Sequence, residues 1–405
     1  MAKVVFLNSV FPVLSETFLF SQYSSLLSQK LPMVLVANNR PAPDQVHPGM
    51  EEIQQQVDYL CDASVLTLLL AHLWILVRHP VRYFGCLLKL FSSDAGAKAS
   101  LAHITGAALV LRRYSGSRPL WIHAHFTYGA ASVAMWAQRL SGVPYSLTLH
   151  GSDLTFDDAP DLAEKLASAS EIISISEYNR RYIAEHFPAV DSSRIRVIPM
   201  GVKPLPETPV RQACRGDGRS SALKLLNVGR LSNHKAQHIL IEACARLRQQ
   251  GVAFSLDIIG EGDYRPRLEA LIDQHQLGDQ VRLLGPRFHS EVLAAYAAAD
   301  LFVLSSVAEG MPVVLMEAMQ AGVPVVATEI SGIPELLDYG RGGVLVPPGD
   351  VTALADALCR IANGELELKQ KQEYAMQHIQ KQFDEDKNSR YFGQFLNGLL
   401  ASQGE

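Results

Sequence analysis

Leu301-Phe302-Val303-Leu304-Ser305-Ser306-Val307-Ala308-Glu309-Gly310-Met311-Pro312-Val313-Val314-Leu315-Met316-Glu317-Ala318-Met319-Gln320-Ala321-Gly322 reads as strand, loop and helix in succession. The run Leu301–Leu304 is apolar and suits a buried strand, while Pro312 fits the first turn of a helix, where a missing N–H costs nothing. Gly322 marks the helix end. Loop amides at such a helix start carry partial positive charge and favour a phosphate or a sugar hydroxyl. Glu309 lies in the loop and Glu317 in the helix, at most about 12 Å apart at helical rise. That separation suits two parts of one ligand better than one metal ion. The same pattern also describes an ordinary strand–loop–helix unit with two solvated glutamates.

The 405 residues exceed one ordinary domain, and the size favours two or three. A hydrophobic content of 48% with 19% charged residues supplies large cores and excludes a disordered chain. The net charge of −5 argues against a general nucleic-acid binder. Cys61, Cys86, Cys214, Cys244 and Cys359 are scattered and form no C-x-x-C pair, so neither a disulfide framework nor a zinc knuckle is indicated. A reducing, cytoplasmic compartment fits, and the apolar segment after Met1 is too short for a signal peptide.

Outward from the central stretch, strands alternate with helices. In the second half the expected strands are Lys224–Val228, Phe254–Ile259, Val281–Leu284, Leu301–Leu304, Pro324–Ala327 and Val344–Val346, with helices between them. The first half repeats the alternation, from a strand at Val4–Leu7 to strands at Ile172–Ile175 and Arg196–Pro199. Alternation of this kind predicts an α/β protein with two doubly wound parallel domains facing across a cleft. The expected boundaries are 1–203, a linker over 204–222 that holds the polar tract Arg211–Ser221, 223–385, and a last helix over 386–405 that can cross back to the first domain.

Three loops at strand ends carry chemistry. Gly229-Arg230-Leu231-Ser232-Asn233-His234-Lys235 follows Val228 and puts two cations at the carboxyl edge of the second sheet. Arginine suits bidentate phosphate contact and lysine supplies a point charge, so a diphosphate is the natural partner. His150 ends the strand Tyr145–Leu149 ahead of Gly151-Ser152-Asp153, and the strand Leu120–Phe126 carries His123 and His125 on one face. The three histidines could form a metal site, but no carboxylate or cysteine has complementary spacing, and hydrogen-bonding or core roles are favoured. The loop after the first strand, Val13-Leu14-Ser15-Glu16, opens a helix for which Ser15 is a plausible cap.

Residues 64–91 are the most apolar part of the chain, and Val65–Val77 is too short to cross a bilayer, which needs about 20 residues. Between Ala63 and Leu120 stand seven basic residues and one acid, Asp94. Apolar helices with local positive charge suit docking on an anionic membrane surface, and equally a helical subdomain with solvated basic faces.

Taken together, Val228-Gly229-Arg230-Leu231 with Lys235, Ile258-Ile259-Gly260-Glu261-Gly262, Val281-Arg282-Leu283-Leu284-Gly285, Ala299-Asp300 with the strand after it, the two-glutamate stretch and Gly332-Ile333-Pro334-Glu335 resemble the retaining GT-B glycosyltransferases of family 4. Phe11-Pro12-Val13-Leu14-Ser15-Glu16-Thr17-Phe18, His123-Ala124-His125-Phe126 and Thr148-Leu149-His150-Gly151-Ser152-Asp153 resemble the branch that builds bacterial exopolysaccharides. The resemblance implies two Rossmann-like domains, the acceptor on the first and a nucleoside diphosphate sugar, UDP- or GDP-linked, on the second. It implies Glu317 on the ribose hydroxyls, Arg230 and Lys235 on the diphosphate, and Glu309 with the backbone of Gly310, Met311, Pro312 and Val313 on the hexose. His150 would reach the hexose or steady charge near the anomeric carbon. The expected reaction is hexosyl transfer to a saccharide acceptor, lipid-linked, at the cytoplasmic membrane face, with retention, no protein nucleophile, no cofactor and no required metal. Many relatives carry a Gly-Gly pair in the first loop, absent here, which leaves acceptor placement less defined than donor placement. Two other readings stay open: a nucleotide-sugar epimerase on the same architecture, and a non-catalytic nucleotide-sugar-binding subunit.

Overall fold

The structure is a computed structural model and describes residues 3–13, 16–42, 46, 49–155, 159–205 and 222–403. Leu14 and Ser15 of the first loop, the tract Arg211–Ser221 and Cys214 lie outside the described residues. The chain forms two compact units, Met1–Pro199 with Asp386–Glu405, and Met200–Glu385.

The N-terminal unit is built on seven parallel strands: β1 (Lys3–Val10), β2 (Met33–Asn39), β3 (Val57–Tyr59), β4 (Leu120–His125), β5 (Tyr145–Leu149), β6 (Glu171–Ser174) and β7 (Ile195–Val197). Their spatial order is β3-β2-β1-β4-β5-β6-β7. Val4 to Leu7 of β1 are fully buried, as a strand covered on both faces requires. Chain order reverses between β1 and β4, which pair directly with Phe6 opposite His123. In open α/β sheets such a switch point leaves a crevice at the carboxyl ends of the two strands.

The second unit has six parallel strands: β8 (Leu223–Val228), β9 (Phe254–Ile259), β10 (Val281–Gly285), β11 (Leu301–Leu304), β12 (Val325–Thr328) and β13 (Val344–Val346), in the order β10-β9-β8-β11-β12-β13. The switch point lies between β8 and β11, which pair through Leu225 and Leu301. The loop carrying Arg230 and Lys235 and the loop carrying Glu309 therefore leave neighbouring strands at one edge.

The last helix, Glu385–Ser402, joins the N-terminal unit's core, where Phe392, Leu396 and Leu400 pack with Val4, Phe6 and Leu26. Gln29 Nε2 donates to the Ser389 carbonyl at 3.4 Å beside this contact. Residues 64–91 form two helices, Val65–Arg78 and Pro80–Lys89, broken at His79 and set at 118°. Pro80 explains the break, since it fills the first helical position and disfavours helix in the residue before it. Among the described residues no single helix is long and apolar enough to cross a membrane.

Candidate active site

At the second switch point the two loops are tied to each other by hydrogen bonds. The amide of Val307 donates to the His234 carbonyl at 2.8 Å, and the Ser305 hydroxyl donates to the carbonyls of Lys235 (3.3 Å) and Ala236 (3.1 Å). The Thr328 hydroxyl donates to Ser306 O at 2.6 Å, fixing the loop from the far side. Gly260, at φ +144°, lies so close beneath the first loop that a Cβ there would sit 1.9 Å from Gly229 O. A side chain cannot occupy that position, which gives the glycine-rich turn after β9 its physical reason.

Glu309 is buried within this frame. Its Oε1 accepts from Lys235 Nζ at 2.5 Å and from the Ser306 hydroxyl at 2.7 Å. The expected sugar-binding acid and one expected diphosphate-binding cation are thus partners. Arg230 is exposed at the same edge, its carbonyl accepting from Gln237 Nε2 at 3.0 Å. The helix after the loop runs Val313–Gln320, and Pro312 stands one place outside it as the N-cap, with ψ at 116°. The reading of Pro312 as a first-turn residue is corrected by one position. Having no N–H, it contributes no amide, so the loop donors are those of Gly310, Met311 and Val313.

Glu317 sits one turn into that helix. The Tyr296 hydroxyl lies 3.1 Å from Glu317 Oε2 and 3.0 Å from the Val314 carbonyl, one proton shared between two acceptors. His289 Nδ1 is 3.8 Å from the other carboxylate oxygen. Burial raises the Glu317 pKa, against the opposing pull of His289 and the Tyr296 hydrogen bond. Burial, and then the Glu317 charge, push the Tyr296 phenol up as well. Tyr296 and His289 escaped sequence reasoning because they lie on a different helix with no fixed spacing to Glu317. Ser306 stands three residues before Glu309, and that local offset could have flagged it.

The N-terminal switch point carries a second cluster. The carboxyl edges of β1 and β4 frame a cavity of about 240 Å³ lined by Asn8, Ser9, Glu16, His125, Phe126 and Tyr128, among others. Burial raises the Glu16 carboxyl to about 7. His150 is buried beside this cavity wall, its Nε2 3.1 Å from His125 Nδ1 and its ring packed on Phe126 and Phe18, with centroids 4.3 and 5.1 Å away. Asp153 Oδ1 accepts the amides of His150 and Gly151, both at 2.9 Å, and so fixes the Gly-Ser-Asp turn. Burial holds the His150 imidazole down at about 3 and raises Asp153 to about 7. His150 is therefore neutral at physiological pH and offers hydrogen bonding, not a positive charge. His125 Nε2 is buried without a partner among the described residues. Among those residues, no group of three or more His, Cys, Asp or Glu is placed to hold a metal ion.

Sequence comparison carries this geometry to a family. The profile described as "Glycosyl transferases group 1" matches residues 222–363, the unit holding Arg230, Lys235, Glu309 and Glu317. The profile described as "Glycosyltransferase Family 4" matches residues 57–204. The chain belongs to the family 4, group 1 glycosyltransferases. Its amino-acid sequence is 28% identical over 418 residues to the amylovoran biosynthesis glycosyltransferase AmsK of Erwinia amylovora, covering 98% of this chain and all of AmsK. It is 40% identical over 187 residues to the putative colanic acid biosynthesis glycosyltransferase WcaL of Escherichia coli K12, a match spanning 44% of this chain and 46% of WcaL. The fold of this glycosyltransferase is GT-B, with two Rossmann-like domains. The crystal structure of Anabaena Alr3699/HepE in complex with UDP superposes with a TM-score of 0.71 at 20% identity, over 98% of this chain and all of HepE.

Proposed function

We propose that this glycosyltransferase moves a hexose from a UDP- or GDP-linked sugar to a saccharide acceptor, carried on a lipid, with retention of anomeric configuration and without a divalent ion, in building a bacterial exopolysaccharide or another surface glycan. The observation that carries the reading is the pairing of the Lys235 and Glu309 loops at the β8–β11 switch point, with Arg230 exposed at the same edge and Glu317 one helical turn on. In this reading Glu317 accepts hydrogen bonds from the ribose hydroxyls, Arg230 and Lys235 hold the diphosphate, and Glu309 with the Gly310–Val313 backbone holds the hexose. The family resemblance also assigns His150 a hydrogen-bonding role. The UDP bound in HepE supports a nucleoside diphosphate donor. The names of AmsK and WcaL support an exopolysaccharide role. A nucleotide-sugar donor and free thiols at Cys61, Cys86, Cys244 and Cys359 support a cytoplasmic place of action.

In the transfer, the bond from the anomeric carbon to the diphosphate oxygen breaks and the leaving group gains negative charge. The acceptor hydroxyl oxygen forms the new bond from the same face, and its proton passes to the leaving phosphate oxygen. Fixed cations lower this barrier because they are in place before charge develops.

The test is acceptor-dependent release of nucleoside diphosphate, with the product anomer read by NMR. Glu317→Ala and Arg230→Ala are each expected to lower kcat/KM about 10- to 100-fold, the range for losing a hydrogen bond to a charged group. Arg230 is the better probe than Lys235, because removing Lys235 strands the buried Glu309 charge at a cost of about 3–5 kcal/mol. Wild-type rates in both variants overturn the site assignment. Sugar conversion without acceptor indicates an epimerase, and donor binding with no turnover on any acceptor indicates a non-catalytic subunit.

A further inference from the structure

We infer that the helices Val65–Arg78 and Pro80–Lys89 form a docking face that seats the N-terminal unit on an anionic lipid bilayer. Of the 15 large apolar side chains that stand exposed among the described residues, 10 fall between Val65 and Phe91. On the first helix Leu66, Leu69, Leu73 and Val77 recur at three- and four-residue steps and form one outward stripe, while Ala71 and Ile75 on the opposite side are fully buried in the core beside Ile104. On the second, Val81, Phe84 and Leu88 repeat the pattern, and Phe91 continues it just past the helix end. Exposures of 85% at Val81, 79% at Leu88 and 86% at Phe91 mean that these side chains pack on nothing in their own unit.

Charge selects the occupant. Residues 63–93 contain no Asp or Glu, and Arg78 and Arg82 stand exposed at the junction of the two helices. The Arg78 guanidinium lies over the Trp74 ring, 4.5 Å from its centroid, which keeps the charge beside the apolar stripe. Lys89 shares the single Glu164 carboxylate with Arg139, so that group keeps a net positive charge. A second copy of the chain would set these arginines against their own equivalents in a two-fold interface, with no Asp or Glu in residues 63–93 to absorb the charge. Anionic headgroups neutralise it instead, and acyl chains accept the Leu and Val side chains. Helices of 14 and 10 residues are each too short to cross a bilayer, and at the 118° turn beside His79 the pair does not form one straight span, which suits a place in the interfacial plane. The docking face belongs to a region separate from the donor loops and does not depend on the donor assignment. It does supply a reason for an acceptor that is itself held in a membrane.

Co-sedimentation of the full chain with phosphatidylcholine vesicles, with and without phosphatidylglycerol, reads the inference directly. The chain is expected to sediment with the anionic vesicles at least about tenfold more strongly than with the neutral ones, and less so at high salt. Arg78→Glu with Arg82→Glu should remove the preference for anionic lipid, and Leu69→Glu with Leu73→Glu should abolish sedimentation with either vesicle. All four positions are exposed, so thermal unfolding should stay near wild type, and nucleoside diphosphate binding is expected to persist in both variants. The inference is overturned by equal sedimentation of wild type and variants, by no sedimentation at all, or by a dimer in light scattering that Leu69→Glu with Leu73→Glu dissolves while wild type ignores vesicles. Vesicle binding by a chain that never turns over donor leaves the docking face standing and refutes the transferase reading, so the two failures are separable.

Discussion

His123 shows how much one buried side chain sets for its neighbours. Its Nδ1 meets the Ser146 hydroxyl at 2.8 Å, its Nε2 meets the Thr148 hydroxyl at 3.1 Å, and its ring lies 4.8 Å from that of His125. Burial holds its imidazole at about 3 against an ordinary 6.5. An imidazole that protonates near 6.5 when unfolded but near 3 when folded takes its proton first in the unfolded state, so its contribution is complete above pH 6.5 and drains as the pH falls toward 3. Glu16 and Asp153, raised to about 7, act in the opposite sense, their stabilising effect being lost as the pH rises toward 7. A bare pH profile mixes the two, so the difference between wild type and His123→Gln is the informative quantity. The variant is expected to be less stable by about 1–3 kcal/mol at pH 7.5, and the gap should narrow as the pH is lowered to 4. A gap that widens on acidification contradicts the buried neutral imidazole. His150, Arg230, Lys235 and Glu309 in loops at strand ends, and Glu317 in the helix that follows, could be singled out as candidates from the sequence because glycine-rich loops punctuate the strands. Their partners could not. The Lys235–Glu309 pair spans 74 positions and the Tyr296–Glu317 contact joins two helices, and neither leaves a periodic trace.

At the scale of elements, strand positions were readable wherever an apolar run was bounded by turn residues, as at Phe254–Ile259, Tyr145–Leu149, Leu301–Leu304 and Val344–Val346. The short edge strand β3 escaped, because Val57-Asp58-Tyr59 has too few residues for alternation to register. Arg196–Pro199 was placed late by comparison with β7 at Ile195–Val197, since Pro199 cannot donate to a ladder. The Glu309 loop is shaped by an element far along the chain. Gly332 N–H donates to Gly310 O at 3.1 Å, and a Cβ at Gly332 would come within 2.7 Å of that oxygen. Gly332→Ala should therefore shift the Gly310 backbone while leaving the sheet intact. Expected is a fall in kcat/KM of about 10- to 100-fold, carried mainly by donor KM, with an unfolding temperature within a few degrees of wild type. Unchanged donor kinetics would show that the Gly310 backbone does not touch the donor.

In the whole molecule, each unit repeats one device: a parallel sheet whose strand order reverses, leaving loops free at the switch point. Alternation of strands and helices made both sheets, apart from the edge strand β3, legible from the sequence. The association of the last helix with the first unit follows from three-dimensional packing, in which Phe392 meets Phe6 with ring centroids 6.4 Å apart. The second unit's switch point is the proposed site of the sugar donor's nucleoside diphosphate. Titration calorimetry of UDP and GDP into the wild-type chain, Glu317→Ala and Arg230→Ala tests it most directly. One of the two nucleotides is expected to bind at one molecule per chain, and each substitution to weaken it by about 10- to 100-fold. Binding of neither nucleotide by the wild-type chain, or equal affinity in all three proteins, would contradict it.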